Sequence, residues 1–207
     1  TVLVERGIST KGLVFDSEAK TTLAFVHLQP DGDRSFSFFR NPGADTRLRP
    51  EEIKEALFEA RIFHFGSLSL THEPARSATL AGLELARRRN LLVSYDPNLR
   101  PPLWPNLEEA RTRILSVMDR VDIVKISREE LEFLSGSNDL EGSSDRLSRE
   151  YGIRMLLVTL GREGCWYRVG DLSGYVPGFE VNSIDTTGAG DAFLGGMLFQ
   201  VLQRDKD

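Results

Sequence analysis

The stretch Asp185-Thr186-Thr187-Gly188-Ala189-Gly190-Asp191-Ala192-Phe193 carries the strongest structural signal in this 207-residue sequence. It leads into an apolar pattern that predicts a helix over 189–203. The small residues at 188–190 let the backbone approach a ligand closely, and the unpaired N–H groups of a first helical turn favour an anion. A carboxylate at Asp191 would repel phosphate, so its presence beside an anion site indicates a function. Accepting a proton from an attacking hydroxyl is such a function. For so common a pattern, a glycine-rich helix start with an acidic cap is the simpler interpretation.

Upstream of this stretch, from Pro50 onward, helical patterns alternate with short apolar strands. The sequence predicts one helix that begins at Pro50 and three more over 73–89, 107–118 and 128–134. It predicts strands at 62–65, 91–95, 122–126, 156–159 and 164–169. Such alternation implies an α/β fold with a doubly wound, mostly parallel sheet and helices on both faces. Ligands of such sheets bind beyond the carboxyl ends of the strands. We therefore expect one rim to carry the residues that follow these strands: Asp96, Ser127, Thr159 and the turn near Gly188.

The first forty residues have a different character. Residues 21–28 are rich in strand formers, 34–40 partly alternate polar and apolar residues, and 29–33 contain an Asp-Gly pair that suits a tight turn. The pattern predicts a β-hairpin. Its phenylalanines, Phe36, Phe38 and Phe39, exceed what one buried hairpin face needs, so something else is expected to cover an apolar face.

Composition excludes several function classes. The chain has 26 Lys+Arg against 31 Asp+Glu, a formal net charge of −5, and no basic block, which argues against a nucleic-acid or anionic-membrane surface. No apolar run approaches the ~20 residues that a bilayer span needs. Cys165 is the single cysteine, and nothing in the sequence suggests secretion. His27, His64 and His72 lack zinc spacing and are interpreted as structural. The default expectation is a cytoplasmic enzyme.

The stretch at 185–191 resembles the C-terminal signature of the PfkB, or ribokinase-like, family of sugar kinases. That resemblance implies a ribokinase-like fold in which the backbone of Gly188, Ala189 and Gly190 forms an anion hole for the transferred phosphoryl group. It also implies that Asp191 is the catalytic base. Asp185 and Thr187 match positions that help to hold K⁺ in members that depend on a monovalent cation.

Other segments resemble the fructokinase branch of that family. They are 39–45, 96–104 and 124–134, and the last covers an Asn-x-x-Glu motif in which Ser127 replaces the Asn. The resemblance makes Glu130 the acid that organises Mg²⁺, through water. It assigns the nucleotide phosphates and ribose to the loop at 159–164, which gives a nucleotide-binding set of Ser127, Thr159, Gly161 and Gly164.

Three further residues are candidates for substrate contact. Arg40 and Asn41 follow the predicted hairpin and match sugar-contacting positions of the family. Arg100 follows a strand at the expected rim, although a solvated surface arginine is as good an interpretation. Asp96 has a similar alternative, since an aspartate before Pro97 is also a common way to end a strand.

The resemblance implies ATP-dependent phosphorylation of D-fructose to fructose 6-phosphate, with ATP and Mg²⁺ and with K⁺ as an optional ion. The alternatives are a kinase for 2-keto-3-deoxygluconate or another sugar, and a kinase-like assembly subunit without catalysis. One domain is expected over 1–207, lacking N- and C-terminal parts of the family fold, with a β lid at 20–42. The partners expected are a sugar and ATP, with no nucleic acid and no membrane, and a second copy of the chain that pairs through the lid.

Overall fold

The computed structural model describes residues 2–28, 34–182 and 185–204. Its strands are β1 (Leu23–Leu28), β2 (Arg34–Phe39), β3 (Ile62–Gly66), β4 (Leu92–Asp96), β5 (Ile123–Ser127), β6 (Met155–Thr159), β7 (Gly164–Val169) and β8 (Leu172–Pro177). Its α-helices are α1 (Val2–Glu5), α2 (Ala75–Arg88), α3 (Leu107–Leu115), α4 (Arg128–Ser135), α5 (Leu140–Tyr151) and α6 (Ala189–Arg204). Single 3₁₀ turns lie at Ala44–Thr46, Pro50–Glu52, Glu55–Phe58, Ser67–Leu70, Pro101–Leu103, Met118–Arg120 and Gly161–Glu163.

The main sheet has six strands in the order β3-β4-β5-β6-β7-β8. Strands β3 to β6 are parallel, and β7 and β8 continue the sheet as an antiparallel edge. This confirms the expected mostly parallel α/β sheet. Strand β8 was not predicted, because its residues are nearly all exposed and include Gly174, so it carries no buried alternation.

Helices cover both faces of the main sheet, as expected. On one face, alternate strand residues such as Tyr95, Ile126 and Val158 pack with residues of α2 to α5 into a single buried core. This arrangement follows from strand order, since successive right-handed crossovers in one direction place their helices on the same side. The opposite face carries Lys125, which lies against Gly190 at the start of α6. The phosphate-binding motif predicted from sequence therefore lies on the side of the sheet opposite the core formed with α2 to α5.

One helical prediction was wrong, and one helix was not predicted. The helix expected from Pro50 is two 3₁₀ turns, because the backbone at Ile53 is extended between them (ψ 95°). Helix α5 was missed because serines occupy much of its buried side, so it shows no apolar stripe: Ser143, Ser144 and Ser148 are buried together with Leu147. Its caps were visible in the sequence, since Asp139 accepts a hydrogen bond from the Gly142 amide and Gly152 ends the helix at φ +68°.

The predicted hairpin is confirmed as an antiparallel pair, β1 and β2, in which Leu23 lies opposite Phe39 and Val26 opposite Phe36. The turn predicted at 29–33 lies outside the described residues. Because side chains alternate between the faces of a strand, Leu23, Phe25 and Phe39 share one face, and all three are more than half exposed. Within the described part of the chain, no helix is long and apolar enough to cross a membrane.

Candidate active site

A cavity of about 280 Å³ lies beyond the carboxyl ends of β3 and β4 and beside the start of α6. This is where the strand pattern placed the ligand rim. Its walls include three carboxylates and two serine hydroxyls, groups that can form hydrogen bonds with a small polyol. The residues around it are Asp45, His64, Gly66, Ser67, Leu68, Ser69, Asp96, Pro97, Asn98 and Asp191.

The first turn of α6 presents backbone amides and one carboxylate at this cavity. Gly188 has φ +77°, which turns the chain into the helix, and its carbonyl accepts the Ala192 amide at 2.8 Å. The Ala189 amide donates to Thr186 O, while the amides of Gly190 and Asp191 have no acceptor one turn earlier within the helix. These two N–H groups, at the positive end of the helix, form an anion cradle.

Asp191 is exposed, lines the cavity and places its carboxylate near the turn at Gly188. Its Oδ2 lies 3.9 Å from the position that a Cβ on Gly188 would occupy. No residue that the structure describes forms a hydrogen bond or ion pair with it. An acceptor oxygen beside two amides and open to a cavity can take a proton from a bound hydroxyl, which is the role that the sequence predicted.

Asp96 both ends β4 and enters a buried ion pair. Its Oδ1 accepts the Asn98 amide at 3.1 Å, which is the strand-ending turn weighed in the sequence analysis, and Asn98 adopts φ +46°. Its Oδ2 lies 3.0 Å from Lys125 Nζ, with the two side chains 6% and 8% exposed. Sequence reasoning missed Lys125. A lysine inside the apolar β5 pattern was the available signal, since a lysine is rarely buried without a partner.

Ser127 and Glu130 form a capping box at the start of α4. Ser127 Oγ accepts the Glu130 amide at 3.2 Å, and Glu130 Oε2 accepts the Ser127 amide at 2.8 Å. Glu130 Oε1 accepts the Leu99 amide at 2.6 Å. Burial raises the pKa of this carboxyl above its usual value, and the two amide hydrogen bonds oppose that shift. The carboxylate thus ties the loop after β4 to the end of β5.

The predicted nucleotide residues lie at the adjacent strand end. Thr159 pairs with Ser127 across the parallel β5–β6 ladder, so two members of the set are neighbours. Gly161 turns the chain with φ +59°. Gly164 has φ +121°, and a Cβ there would lie 2.1 Å from Val176 O. Only glycine fits at this position, because the backbone packs closely against β8.

Two predicted sugar contacts are already engaged with protein, and a third lies off the cavity. The Arg40 guanidinium donates to Asp45 through Nε at 2.8 Å, to Thr71 Oγ1 and to Leu68 O, and its side chain is 4% exposed. Arg100 lies 5.2 Å from the centre of the Phe36 ring on the hairpin and donates to Leu99 O. Asn41 is exposed and is not among the cavity residues. Arg40 orients Asp45, which does line the cavity.

His64 and Asp45 line the cavity although sequence reasoning assigned neither to the site. His64 Nδ1 lies 3.2 Å from Ser94 Oγ. Partial desolvation lowers the pKa of His64, and the charges of Asp96 and Asp191 oppose that shift. No local signal marks either residue, because the sheet register and the chain after the hairpin bring them to the cavity.

A family model for pfkB carbohydrate kinases matches residues 1–207. The chain belongs to this family. The match extends over the hairpin, the main sheet and the helix that carries Asp191.

Fructokinases of plants and bacteria are among the similar proteins. Fructokinase-1 of Zea mays is 49% identical over 203 residues, which are 98% of this chain and 63% of that protein. The crystal structure of Xylella fastidiosa fructokinase with bound ATP has a TM-score of 0.87 at 40% identity, and covers 97% of this chain and 62% of that one. Vibrio cholerae fructokinase with fructose, ADP and calcium bound has a TM-score of 0.87 at 33% identity, and covers 96% and 64%. The chain therefore spans about three fifths of the length of the pfkB relatives it matches.

The donor set of this pfkB site is compatible with Mg²⁺ that arrives with a nucleotide. No group of three metal-binding side chains occurs among the described residues, and Mg²⁺ often uses one carboxylate, several waters and substrate phosphates. Each Glu130 oxygen accepts one amide and has a second acceptor position for a metal-bound water. At the predicted K⁺ position, Asp185 Oδ1 accepts the Thr187 amide at 2.8 Å, so the two residues are neighbours.

Proposed function

We propose that this chain forms the catalytic centre of an ATP-dependent kinase that converts D-fructose to fructose 6-phosphate. The observation that carries the proposal is the position of Asp191: an exposed carboxylate beside the amides of Gly190 and its own backbone, open to a polar cavity. The fructokinases that match nearly the whole chain support fructose as the sugar.

The reaction requires little covalent chemistry from the protein. Asp191 accepts the proton of the sugar's primary hydroxyl as that oxygen attacks the γ-phosphorus of ATP. The new O–P bond forms as the bond to the β,γ-bridging oxygen breaks, and ADP leaves. The turn at Gly188, Ala189 and Gly190 stabilises the charge on the transferred phosphoryl oxygens through the amides of Gly190 and Asp191, since the Ala189 amide already donates to Thr186 O.

The nucleotide side of the site is assigned to the ends of β5 and β6. Ser127 and Thr159 lie side by side there, with Gly161 and Gly164 shaping the loop that follows. Glu130 would hold Mg²⁺ through water, and the metal would neutralise phosphate charge. Asp185 and Thr187 would hold K⁺ behind the cradle. Each of these assignments is part of the proposal.

The hairpin, within the 20–42 lid segment, is proposed to cover the sugar and to pair with a second copy of the chain. Two features support this. Phe36, on one face, contacts Arg100 near the cavity rim, and the opposite face exposes Leu23, Phe25 and Phe39. An apolar face of this size is stable in water when another surface covers it. A cytoplasmic location stays a prediction.

The alternatives receive less support from the geometry. A 2-keto-3-deoxygluconate kinase needs a cation for the substrate carboxylate, yet Arg40 is held by Asp45 and Arg100 lies over Phe36. An assembly subunit without catalysis has no use for an unpaired carboxylate at an anion cradle.

A sugar panel tests the proposal directly. ADP release by the full-length protein is measured with fructose, 2-keto-3-deoxygluconate, ribose and adenosine, each with Mg·ATP. We expect the highest kcat/KM with fructose. Activity restricted to ribose or adenosine would remove the fructose assignment, and ATP binding without sugar-dependent ADP release would contradict kinase function altogether.

A further inference from the structure

The ion pair between Lys125 and Asp96 lies directly beneath the anion cradle. Lys125 Nζ is 3.0 Å from Asp96 Oδ2, and both side chains are more than nine-tenths buried. A Cβ placed on Gly190 would lie 2.9 Å from the same Nζ and 3.6 Å from Cε. The ammonium therefore touches the first turn of α6 at the residue whose amide faces the phosphoryl position.

This ammonium is only partly satisfied by protein. An ammonium has three N–H donors, and among the described residues Asp96 is its hydrogen-bond partner for one of them. A buried cation with unused donors is costly unless a nearby group stabilises it. The space next to it is the start of α6, where an anion is expected.

The position of Lys125 in the fold explains why it reaches the cradle. It is the third residue of β5, on the sheet face opposite the packed core, and the first turn of α6 approaches that face at Gly190. Ser127, two residues later, has the same strand face because side chains repeat with a period of two. The lysine thus shares a strand face with the predicted nucleotide residue Ser127 and contacts the start of α6 at Gly190.

We propose that Lys125, held by Asp96, is a positioning residue that seats the first turn of α6 at Gly190 and adds positive charge beneath the transferred phosphoryl group. The inference rests on the proposed kinase function. Lys125 acts through the Gly190 amide, so it shapes the cradle without contacting the sugar. This role of Lys125 goes beyond neutralising the charge of Asp96.

A double-mutant comparison separates the effect of the Lys125 ammonium on the cradle from the neutralisation of Asp96. The full-length proteins to compare are Lys125→Met, Asp96→Asn and the double variant Asp96→Asn/Lys125→Met. Asparagine keeps the Oδ1 acceptor for the Asn98 amide, and the double variant contains no unpaired buried charge, so it retains the fold. The informative difference is between Asp96→Asn and the double variant, because only the ammonium changes there.

The measurements are the unfolding midpoint, kcat, the KM values for ATP and sugar, and calorimetric binding of a non-hydrolysable ATP analogue and of AMP. Relative to Asp96→Asn, we expect the double variant to lose about tenfold in kcat, less than the ~10²-fold typical of a donor that touches an oxyanion. Affinity for the ATP analogue falls, while AMP affinity and the KM for sugar stay unchanged. Equal kcat and equal analogue affinity in the two variants would overturn the inference.

A matched control pair lies far from the cradle. Arg168 and Asp145 form an ion pair of 2.7 Å between β7 and α5, with the arginine side chain 10% exposed. The variant Arg168→Met/Asp145→Asn is expected to change stability and leave kcat unaltered. If this control lost as much kcat as the Lys125 variant, general destabilisation would explain both losses. That result would overturn the inference.

Gly190→Ala tests the same contact from the helix side. Its methyl group would displace the ammonium, and we expect a similar loss of kcat with Lys125 intact, whereas an unchanged kcat counts against the contact. If the unaltered protein releases no ADP with any sugar, the proposed function fails by itself. The analogue-binding comparison then still decides for or against Lys125.

Discussion

At the residue scale, the roles of individual carboxylates depend on what surrounds them. Asp96 and Glu130 are buried and accept backbone amides, so they organise loops. Asp191 is exposed and has no protein partner among the described residues. The same side-chain chemistry thus provides two structural anchors and one group available to a substrate. This difference supports Asp191 as the proton acceptor.

Replacing Asp191 by Asn removes the base and leaves the amide cradle in place. We expect Asp191→Asn to lower kcat about a hundredfold or more, with the unfolding midpoint unchanged because this side chain makes no described contact. Coupled ADP-release kinetics and thermal unfolding measure the two quantities. Asp171→Asn, in the exposed turn between β7 and β8, is the control and should keep full activity. Near-normal turnover of Asp191→Asn would refute its assignment.

Local hydrogen bonds strongly lower the pKa of the Asp16 carboxyl. The amides of Ala19 and Glu18 and the guanidinium of Arg47 lower its pKa from 3.8 to about 2. A lowered folded pKa adds stability that is complete above pH ~4 and is lost as the pH falls towards 2. We expect a carboxyl NMR titration to give a value near 2. In Arg47→Met the pKa should rise only part of the way, since the amides are the larger causes, and a full return to 3.8 would contradict this order.

At the element scale, backbone packing decides the antiparallel edge of the sheet. Gly164 begins β7 at φ +121°, and a Cβ would meet Val176 O, Gly178 N and Pro177 C within 2.7 Å. None of these atoms can move without shifting β8. The edge therefore depends on a glycine that the sequence analysis assigned to nucleotide binding.

Gly164→Ala is expected to destabilise the protein by about 2–4 kcal/mol, because strain at a positive φ adds to a backbone clash. Urea unfolding measures the loss. Gly136→Ala is the matched control: its φ is +72°, but open space surrounds the Cβ position, so only the left-handed conformation costs energy, about 1–2 kcal/mol. Equal losses in the two variants would show that the close approach of β7 and β8 contributes nothing.

At the scale of the whole molecule, the hairpin presents an apolar face that the described residues leave exposed. The Phe39 ring packs edge to face on Phe25 at 5.5 Å, yet 65% of Phe39 is exposed. The hairpin face that carries Phe25 and Phe39 is opposite the face on which Phe36 contacts Arg100. A second hairpin packed against this face would bury it, which is the basis of the proposed homodimer.

Phe39→Ser is expected to convert the dimer to a monomer, because it removes the largest exposed ring of that face. Light scattering at micromolar concentration measures the mass. Phe179→Ser removes a ring that is 90% exposed outside the hairpin and should leave the dimer intact. A monomeric unaltered protein, or equal effects of the two substitutions, would contradict pairing through the hairpin.

The sequence by itself determined the features that depend on local chemistry. The glycine-rich start of α6, the alternating hairpin and the short apolar strands each carry their signal within a few residues, so the fold class could be predicted and Asp191 could be proposed as a site residue. Capping residues also marked α5, but its buried serines concealed the helix from an analysis of apolar periodicity.

Only the tertiary structure decided which distant groups meet. Lys125 joins Asp96 because β4 and β5 are neighbours in the sheet, and it reaches Gly190 because the first turn of α6 approaches that face. Arg40 is bound by Asp45, Thr71 and Leu68 through the packing of the chain after the hairpin. Such contacts depend on strand order, register and the side of the sheet that each helix covers, and no local pattern of residues encodes these three together.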